Sequence, residues 1–195
     1  MKRLVIFDFD GTLTYKDSFL AFIRYYHGSA AFLLGMLRLM PWLVAYKLKL
    51  VPNWRAKEKV LEYFFRDKAE SELHRRGQSF AKELIPRMLR PKAEQALKGH
   101  IAAGDRVIVV SASATPWLQA WCEEMGVELL ATELECHNGK ITGRLKGNNC
   151  YGPEKVERLR KHLSLQDYDE VYAYGDSAGD RELLALASHP HYRYF

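Results

Sequence analysis

The sequence predicts an α/β fold, in which a doubly wound, mainly parallel Rossmann-like sheet carries an inserted all-helical cap. Three observations support this prediction. An apolar run at residues 3–9 has the composition of a buried strand and ends at two aspartates. Two further runs of this kind, residues 106–110 and 170–174, also end in polar residues. Between the first and second runs, residues 19–89 show apolar residues at helical spacing and no strand alternation.

Local signals indicate the shorter elements of the α/β part. Gly104 and Gly126 suit the position that ends a helix, and Pro153 suits the first turn of one. Asn138-Gly139 between extended arms predicts a hairpin over residues 134–145. The other predicted elements are helices at residues 93–103, 116–125, 153–163 and 180–187, and strands at residues 127–130 and 191–195.

Glycine and proline divide the helical stretch. We predict breaks near Gly28, Pro41, Pro52 and Gly77, because these residue types interrupt helices. The stretch is therefore expected to be a set of short helices above the carboxyl edge of the sheet.

The predicted elements define two domains. Residues 1–16 and 91–195 form an α/β core domain, and residues 17–90 form a helical cap domain. A length of 195 residues suits one domain with such an insertion.

Composition narrows the class of protein. Cys122, Cys136 and Cys150 lack the spacing of a zinc site or a disulfide framework, which favours a reducing compartment. The first residues show no signal-peptide pattern, so we expect a cytoplasmic protein. The net charge is +5, but the basic residues are scattered and no nucleic-acid-binding motif is present. We therefore expect no nucleic-acid partner.

Asp8 and Asp10 are the first candidates for chemistry. Residues i and i+2 of a strand face the same side, so both carboxylates should point past the strand end, where open α/β sheets bind ligands. Crowded carboxylates repel each other unless a cation lies between them. Gly11 allows a sharp turn that exposes backbone N–H groups. Taken alone, the pair also fits an ordinary acidic turn.

Polar groups follow the other two strands. Ser111 follows the second, and Asp176, with Asp180 four residues on, follows the third. The carboxylates of Asp8 and Asp176 suit Mg²⁺, whereas Ser111 and Lys155 suit a phosphate. Plainer explanations exist: Ser111 can cap a helix, Lys155 can be solvated, and residues 175–180 can form an acidic loop. The order of these groups at three strand ends favours a joint site.

The motifs also resemble those of a known family. Asp8-Phe9-Asp10-Gly11-Thr12 resembles the first motif of the haloacid dehalogenase-like phosphohydrolase superfamily. Ser111 matches its second motif, Lys155 its third, and Gly175-Asp176-Ser177 with Asp180 its fourth. The helical insertion is similar to the C1-type cap of the phosphoserine phosphatase-like subfamily IB.

The resemblance implies a magnesium-dependent phosphomonoester hydrolase. In such enzymes the aspartate that matches Asp8 is the nucleophile and becomes an aspartyl-phosphate. Asp10 would protonate the leaving oxygen and then activate water. The implied metal ligands are Asp8, Asp176 and the backbone carbonyl of Asp10. Because dehalogenases lack the second aspartate, Asp10 favours phosphoryl transfer over cleavage of a carbon–halogen bond.

The other matched positions are implied to bind phosphate. Ser111 and Lys155, with Gly11 and Ala112, would hold the phosphoryl oxygens as charge shifts. Asp180 would orient Lys155 or a metal-bound water.

The substrate is expected to be a small soluble phosphorylated metabolite, similar to phosphoserine or histidinol phosphate. Asp17 lies where phosphoserine phosphatases have a glutamate that meets the substrate's amino group, although aspartate is shorter. It fits equally well as the N-cap of the next helix. Arg55 is a candidate for binding a carboxylate or second phosphate. The oligomeric state is not predicted.

The predicted cap is unusually apolar between residues 30 and 51. Arg38, Pro41, Lys47 and Lys49 interrupt this region, so we do not predict a transmembrane helix. The interpretation we favour is a bundle that buries its own apolar surface. The alternative is a cap that contacts the membrane surface, with a lipid phosphatase of the phosphatidylglycerophosphatase type as the function. A non-catalytic binding protein of the same fold is a third, less favoured reading.

Overall fold

A computed structural model describes all 195 residues and shows a five-stranded, fully parallel sheet with a helical insertion after its first strand. The spatial order of the strands is β3-β2-β1-β6-β7, and β4 and β5 form a separate antiparallel hairpin. The predicted α/β fold with an inserted helical region is confirmed. The strands are β1 Arg3–Phe7, β2 Arg106–Ala114, β3 Glu128–Thr132, β4 Leu134–His137, β5 Lys140–Leu145, β6 Glu170–Gly175 and β7 His189–Tyr192.

Nine helices complete the chain. The first five, α1–α5, form the helical insertion, and the other four accompany the sheet. The helices are α1 Ser18–His27, α2 Ser29–Lys47, α3 Asn53–Phe65, α4 Glu70–Glu83, α5 Ile85–Met88, α6 Pro91–Ala102, α7 Thr115–Met125, α8 Pro153–His162 and α9 Arg181–Leu184.

The central strand β1 is buried on both faces, as its continuous apolar sequence predicts. Leu4 and Ile6 belong to the apolar cluster that includes side chains of α8 and α9. Val5 and Phe7 belong to the opposite cluster, which includes side chains of α6 and α7. Because β1 lies between β2 and β6, the ends of these three strands are neighbours.

The helical insertion packs directly on the α/β part. Phe22 of α1 stacks on Trp117 of α7 with ring centroids 4.9 Å apart, and both side chains are fully buried. Side chains of the helical insertion and of β1 therefore share one apolar cluster.

Two predicted helix breaks are wrong, whereas the chain does break at Gly28 and before Asn53. Pro41 lies inside α2 and is exposed, as is Leu37. Because proline has no N–H, the carbonyl of Leu37 lacks its helical hydrogen bond, but water can reach it on this exposed face. Gly77 also lies inside α4. A β-carbon at this position would be 1.8 Å from the carbonyl oxygen of Pro116. Glycine at this position allows the close approach of α4 to α7.

Near the C-terminus the predicted element boundaries shift. The helix predicted at residues 180–187 is a 3₁₀ turn, Ala178–Asp180, followed by the short α9. A capping box between Ser177 and Asp180 fixes this turn. The last strand is β7 rather than residues 191–195, because it pairs in parallel with β6 from Tyr172 onward.

The expectation that the insertion buries its apolar surface is also wrong. Leu33, Leu34, Leu37, Met40 and Val44 of α2 are exposed. By length and composition, α2 is the one helix able to cross a membrane. Only 11% of its most apolar 18-residue stretch is buried in the protein. The helix is therefore apolar both towards the protein and away from it.

The packing at Gly77 predicts a stability difference between two glycine-to-alanine variants. Gly77→Ala should lower the free energy of unfolding by about 1–3 kcal/mol, because the methyl group must displace backbone at Pro116. Gly99→Ala in α6, with open space around it, should raise that free energy by about 0.5–1 kcal/mol. Urea unfolding measures both values, and a stabilised Gly77→Ala protein would show that α4 and α7 are farther apart.

Candidate active site

The candidate site lies at the carboxyl ends of β1, β2 and β6. Asp8 directly follows β1, and its backbone N–H still donates to the carbonyl oxygen of Tyr174 on β6 at 2.9 Å. Ser111 is on β2 and Asp176 follows β6. The parallel register therefore brings together the three groups of residues that the sequence placed at strand ends.

Lys155, in the first turn of α8, joins two buried carboxylates. Its Nζ donates to Oδ1 of Asp8 at 2.5 Å and to Oδ1 of Asp180 at 2.7 Å. Only 2% of its surface is exposed. Burial opposes the charge on Lys155, but Asp8 and Asp180 outweigh burial and raise its pKa. Burial also raises the pKa of Asp8 to about 7, because Lys155 only partly offsets the cost of burying the carboxylate.

Asp10 has a different environment, without an ion pair. The backbone N–H of Ser18 donates to its Oδ1 at 2.6 Å, and the hydroxyl of Ser113 donates to its Oδ2. Ser18 in turn donates from its hydroxyl to that of Ser113 at 2.8 Å. Burial raises the pKa of Asp10 to about 6, and the negative charge of Asp17 adds to the shift. Ser18 and Ser113 were not predicted as site residues, although Ser113 belongs to the Ser-Ala-Ser sequence that follows the apolar run of β2.

A cluster of carboxylates can hold a metal ion. Single oxygen atoms of Asp8, Asp176 and Asp180 lie within 4.8 Å of one another. These three carboxylates and Lys155 leave two uncompensated negative charges, which a divalent cation would neutralise. Gly11 keeps this space open, since a β-carbon there would lie 2.4 Å from Oδ2 of Asp176.

Hydrogen bonding distinguishes the carboxylates that are free to bind a metal ion from the one that positions Lys155. Oδ1 of Asp176 is buried and has no partner, which fits a metal ligand. Asp180 uses Oδ1 for Lys155, and its Oδ2 accepts from the hydroxyl of Ser177 at 2.7 Å and its N–H at 3.0 Å. Asp8 and Asp176 are therefore the better side-chain ligands, and Asp180 positions Lys155. The carbonyl of Asp10 as a third ligand stays a prediction.

Ser111 and Ala112 line the same site. The hydroxyl oxygen of Ser111 accepts from the backbone N–H of Ser113 at 3.0 Å, and its own proton remains available to an anion. The carbonyl of Ala112 accepts from Lys57 and from the hydroxyl of Thr132. These contacts hold the end of β2 against the cavity.

A cavity of about 300 Å³ lies between the site and the helical insertion. Its floor contains Asp8, Asp10 and Lys155, and its opposite wall is mainly apolar. The wall is formed by Phe19, Leu20, Met36, Leu43, Ala56 and Val60.

Lys57 of α3 is a site residue that the sequence analysis missed. It is buried, and its Nζ donates to the carbonyl of Ala112 and to Oδ1 of Asn149, at 3.0 Å in the second case. Neither acceptor is charged, and burial lowers the pKa of Lys57 to about 8. The available signal was a lysine within the apolar stripe of α3, between Ala56 and Val60.

The two predicted specificity residues lie in different places. Asp17 lines the cavity and is also the N-cap of α1, accepting from the backbone N–H of Leu20 at 2.9 Å. Arg55 is exposed, lies over the ring of Trp54 and does not line the cavity. The expectation for Arg55 is corrected, because helical geometry turns Lys57 rather than Arg55 towards the site.

Comparison with known proteins identifies the family. The family of haloacid dehalogenase-like hydrolases matches residues 5–185. The chain belongs to this family. It is 38% identical over 194 residues to protein CicA of Caulobacter vibrioides, covering 98% of this chain and 86% of CicA.

Two further similarities concern phosphatases. A histidinol-phosphatase of Neisseria meningitidis serogroup C is 28% identical over 213 residues, which cover 97% of this chain and 89% of that protein. A structure of phosphoserine phosphatase, a phospho-aspartyl intermediate analogue, has a TM-score of 0.67 at 20% identity, covering 95% of this chain and 83% of the other. The predicted family resemblance, with phosphoserine phosphatase-like structural neighbours, is confirmed.

The carboxylate cluster predicts a metal-dependent gain in stability. A hundredfold excess of Mg²⁺ over its Kd should raise the Tm by about 5–10 °C, because the ion binds the folded state only. Asp176→Asn should abolish most of this shift, since it removes a ligand that has no other partner. Glu157→Gln, an exposed carboxylate on α8, is the matched control and should keep the shift. An unchanged Mg²⁺ response of Asp176→Asn in thermal melts would exclude this site.

Proposed function

We propose that the protein is a magnesium-dependent phosphomonoester hydrolase that acts through an aspartyl-phosphate at Asp8. The observation that carries the proposal is that two carboxylates at one strand end have opposite environments. Asp8 is paired with a buried ammonium group, whereas Asp10 is held only by an amide and a hydroxyl. The ammonium group beside Asp8, to which a bound Mg²⁺ would add charge, favours the ionised form that a nucleophile requires, whereas Asp10 has no hydrogen-bonded cation and can carry the proton.

The first step uses both carboxylates. Asp8 attacks phosphorus in line and forms a P–O bond while the bond from phosphorus to the ester oxygen breaks. Asp10 donates a proton to that oxygen, so the leaving group departs as a neutral alcohol. A pKa of about 6 suits this transfer near neutral pH.

The second step restores the protein. Asp10, now ionised, accepts a proton from a water molecule whose oxygen attacks phosphorus. The P–O bond to Asp8 breaks and inorganic phosphate leaves. Lys155 and Ser111 border the space in which phosphoryl charge develops, and they can donate to its oxygens. When bound by Asp8 and Asp176, Mg²⁺ supplies further positive charge that offsets the charge of the phosphoryl group.

The charged side chains that line the cavity favour a small phosphate ester with polar groups as the substrate. Asp17 offers a carboxylate to a cationic group, and Lys57 offers a cation without a carboxylate partner. The similarity to a histidinol-phosphatase supports a leaving group that carries an amine. We place the reaction in the cytoplasm, an assignment supported by three unpaired cysteines.

A lipid phosphate is the second candidate substrate, of the type cleaved by phosphatidylglycerophosphatases. It is favoured by α2, whose inner side chains Met36 and Leu43 line the cavity while its outer side chains are apolar and exposed. A binding protein without activity is disfavoured, because every charged group required for transfer is present.

Turnover of p-nitrophenyl phosphate tests the proposed chemistry. The protein should release phosphate with Mg²⁺ and not with EDTA, and Asp8→Asn should reduce turnover to background because an amide cannot form the acyl-phosphate. Thermal melts verify that the variant is folded, and Glu157→Gln serves as an active control. Wild-type turnover by a folded Asp8→Asn protein would rule out the mechanism.

The charge of Asp17 predicts a change in substrate preference. Asp17→Asn should keep the cap of α1, since asparagine caps as well as aspartate does. Turnover of phosphoserine and histidinol phosphate should fall at least tenfold relative to that of glycerol phosphate, because the amine loses its partner. Comparing kcat/KM across these three esters and a phosphatidylglycerophosphate also separates the two candidate substrate classes. An equal effect on all esters would limit Asp17 to its structural role.

A further inference from the structure

One face of α2 is not explained by hydrolysis. We call Leu33, Leu34, Leu37, Met40 and Val44 the outer stripe; their exposed fractions are between 48% and 66%. Leu33, Leu37, Met40 and Val44 recur at intervals of three or four residues, and Leu34 lies three residues before Leu37, so the five lie on one side of the helix over about 17 Å. Arg38 is the one charged residue between the first and the last member, and it lies at the edge of this face, one turn from Leu34. Contiguous exposed apolar patches are unusual on soluble monomers and mark interaction sites.

The outer stripe cannot be buried by rotation of the helix. The opposite face of α2 packs closely on α3, where a β-carbon at Gly35 would lie 2.3 Å from the ring of Phe64. Leu39 is buried on the same side, and Met36 and Leu43 line the cavity. The helix is therefore fixed in the fold with its second apolar face outward, which also opposes a membrane-spanning role.

The segment of chain that contains the outer stripe carries charge of one sign. Residues 18–57 contain six basic residues and no acidic residue. The rest of the chain has 23 basic and 24 acidic residues, so the net charge of +5 originates in this segment. Five of the six basic side chains are exposed, and we call these five the basic flanks: Arg24, Arg38, Lys47, Lys49 and Arg55.

We propose that the outer stripe and its basic flanks bind the surface of an anionic lipid bilayer. An apolar helix face edged by lysine and arginine lies in the plane of such a surface, with its apolar side chains below the headgroups. Trp42 and Trp54 each have a cationic group 5.5 Å from the ring, an arrangement suited to the headgroup level. The interaction is independent of the substrate, because no member of the outer stripe lines the cavity.

Charge argues against a second copy of the chain as the partner. A twofold interface places the same patch on both sides, so the basic flanks would meet each other without acidic residues of the same segment to pair with. An anionic bilayer instead complements both the apolar stripe and the flanks.

Vesicle co-sedimentation of the full chain tests the proposal. The protein should sediment with phosphatidylcholine vesicles that contain phosphatidylglycerol, and much less with phosphatidylcholine alone or at high salt. Leu33→Gln/Leu37→Gln should weaken binding more than tenfold, whereas the apolar control Leu33→Met/Leu37→Met should bind as the wild type does. Circular dichroism melts verify that these surface variants are folded.

A second pair of variants tests the basic flanks. Lys47→Gln/Lys49→Gln should weaken binding about 25-fold, at about fivefold per charge. The matched control Arg160→Gln/Lys161→Gln removes two exposed charges from α8 and should change binding less than twofold. Asp8→Asn should bind vesicles normally, so loss of turnover and loss of membrane binding are separable.

Three results would overturn the proposal. The first is no sedimentation with anionic vesicles. The second is binding that the glutamine variants of the outer stripe do not weaken. The third is a wild-type dimer that Leu33→Gln/Leu37→Gln converts to a monomer in analytical ultracentrifugation, which would assign the outer stripe to self-association.

Discussion

The buried contact of Lys155 with Asp8 and Asp180 is the interaction on which the rest of the site depends. It ties the start of α8 to the end of β1 and to the turn after β6. Removing the ammonium would leave two buried carboxylates unpaired, a change that typically costs several kcal/mol. The same contact offsets part of the cost that burial imposes on the charge of Asp8, whose pKa is still raised to about 7. It is therefore both a structural junction and the source of a usable nucleophile.

The helical insertion gives the site its second wall. Ser18, the first residue of α1, holds Asp10 through its backbone N–H, so the insertion positions the second carboxylate directly. Lys57 of α3 holds the end of β2 from the other side. The insertion also packs on α7 through Phe22 and Trp117. The helical insertion therefore fixes the position of Asp10 and also forms the apolar wall of the cavity.

Sequence patterns predicted the groups whose positions follow from strand ends. Asp8 and Asp176 could be located because buried parallel strands have a recognisable composition and end at one edge of the sheet. Lys57 and Ser18 were missed because their roles depend on how a helix packs across the cavity, and the position of Lys57 in an apolar stripe was the only sequence signal for it. The exposure of α2 was equally hidden, since a helix that is apolar all round normally indicates burial. Only tertiary packing determines which apolar face of α2 is buried and which is exposed.

The central claim is that Asp8 and Asp10 have different roles because their surroundings differ. The most direct test is the dependence of kcat/KM on the leaving group, measured for wild type and Asp10→Asn with aryl and alkyl phosphates. If Asp10 donates the proton, the variant should lose about 10²–10⁴-fold on alkyl phosphates and far less on p-nitrophenyl phosphate, whose leaving group needs no proton. An equal loss on both classes of ester would contradict this division of roles.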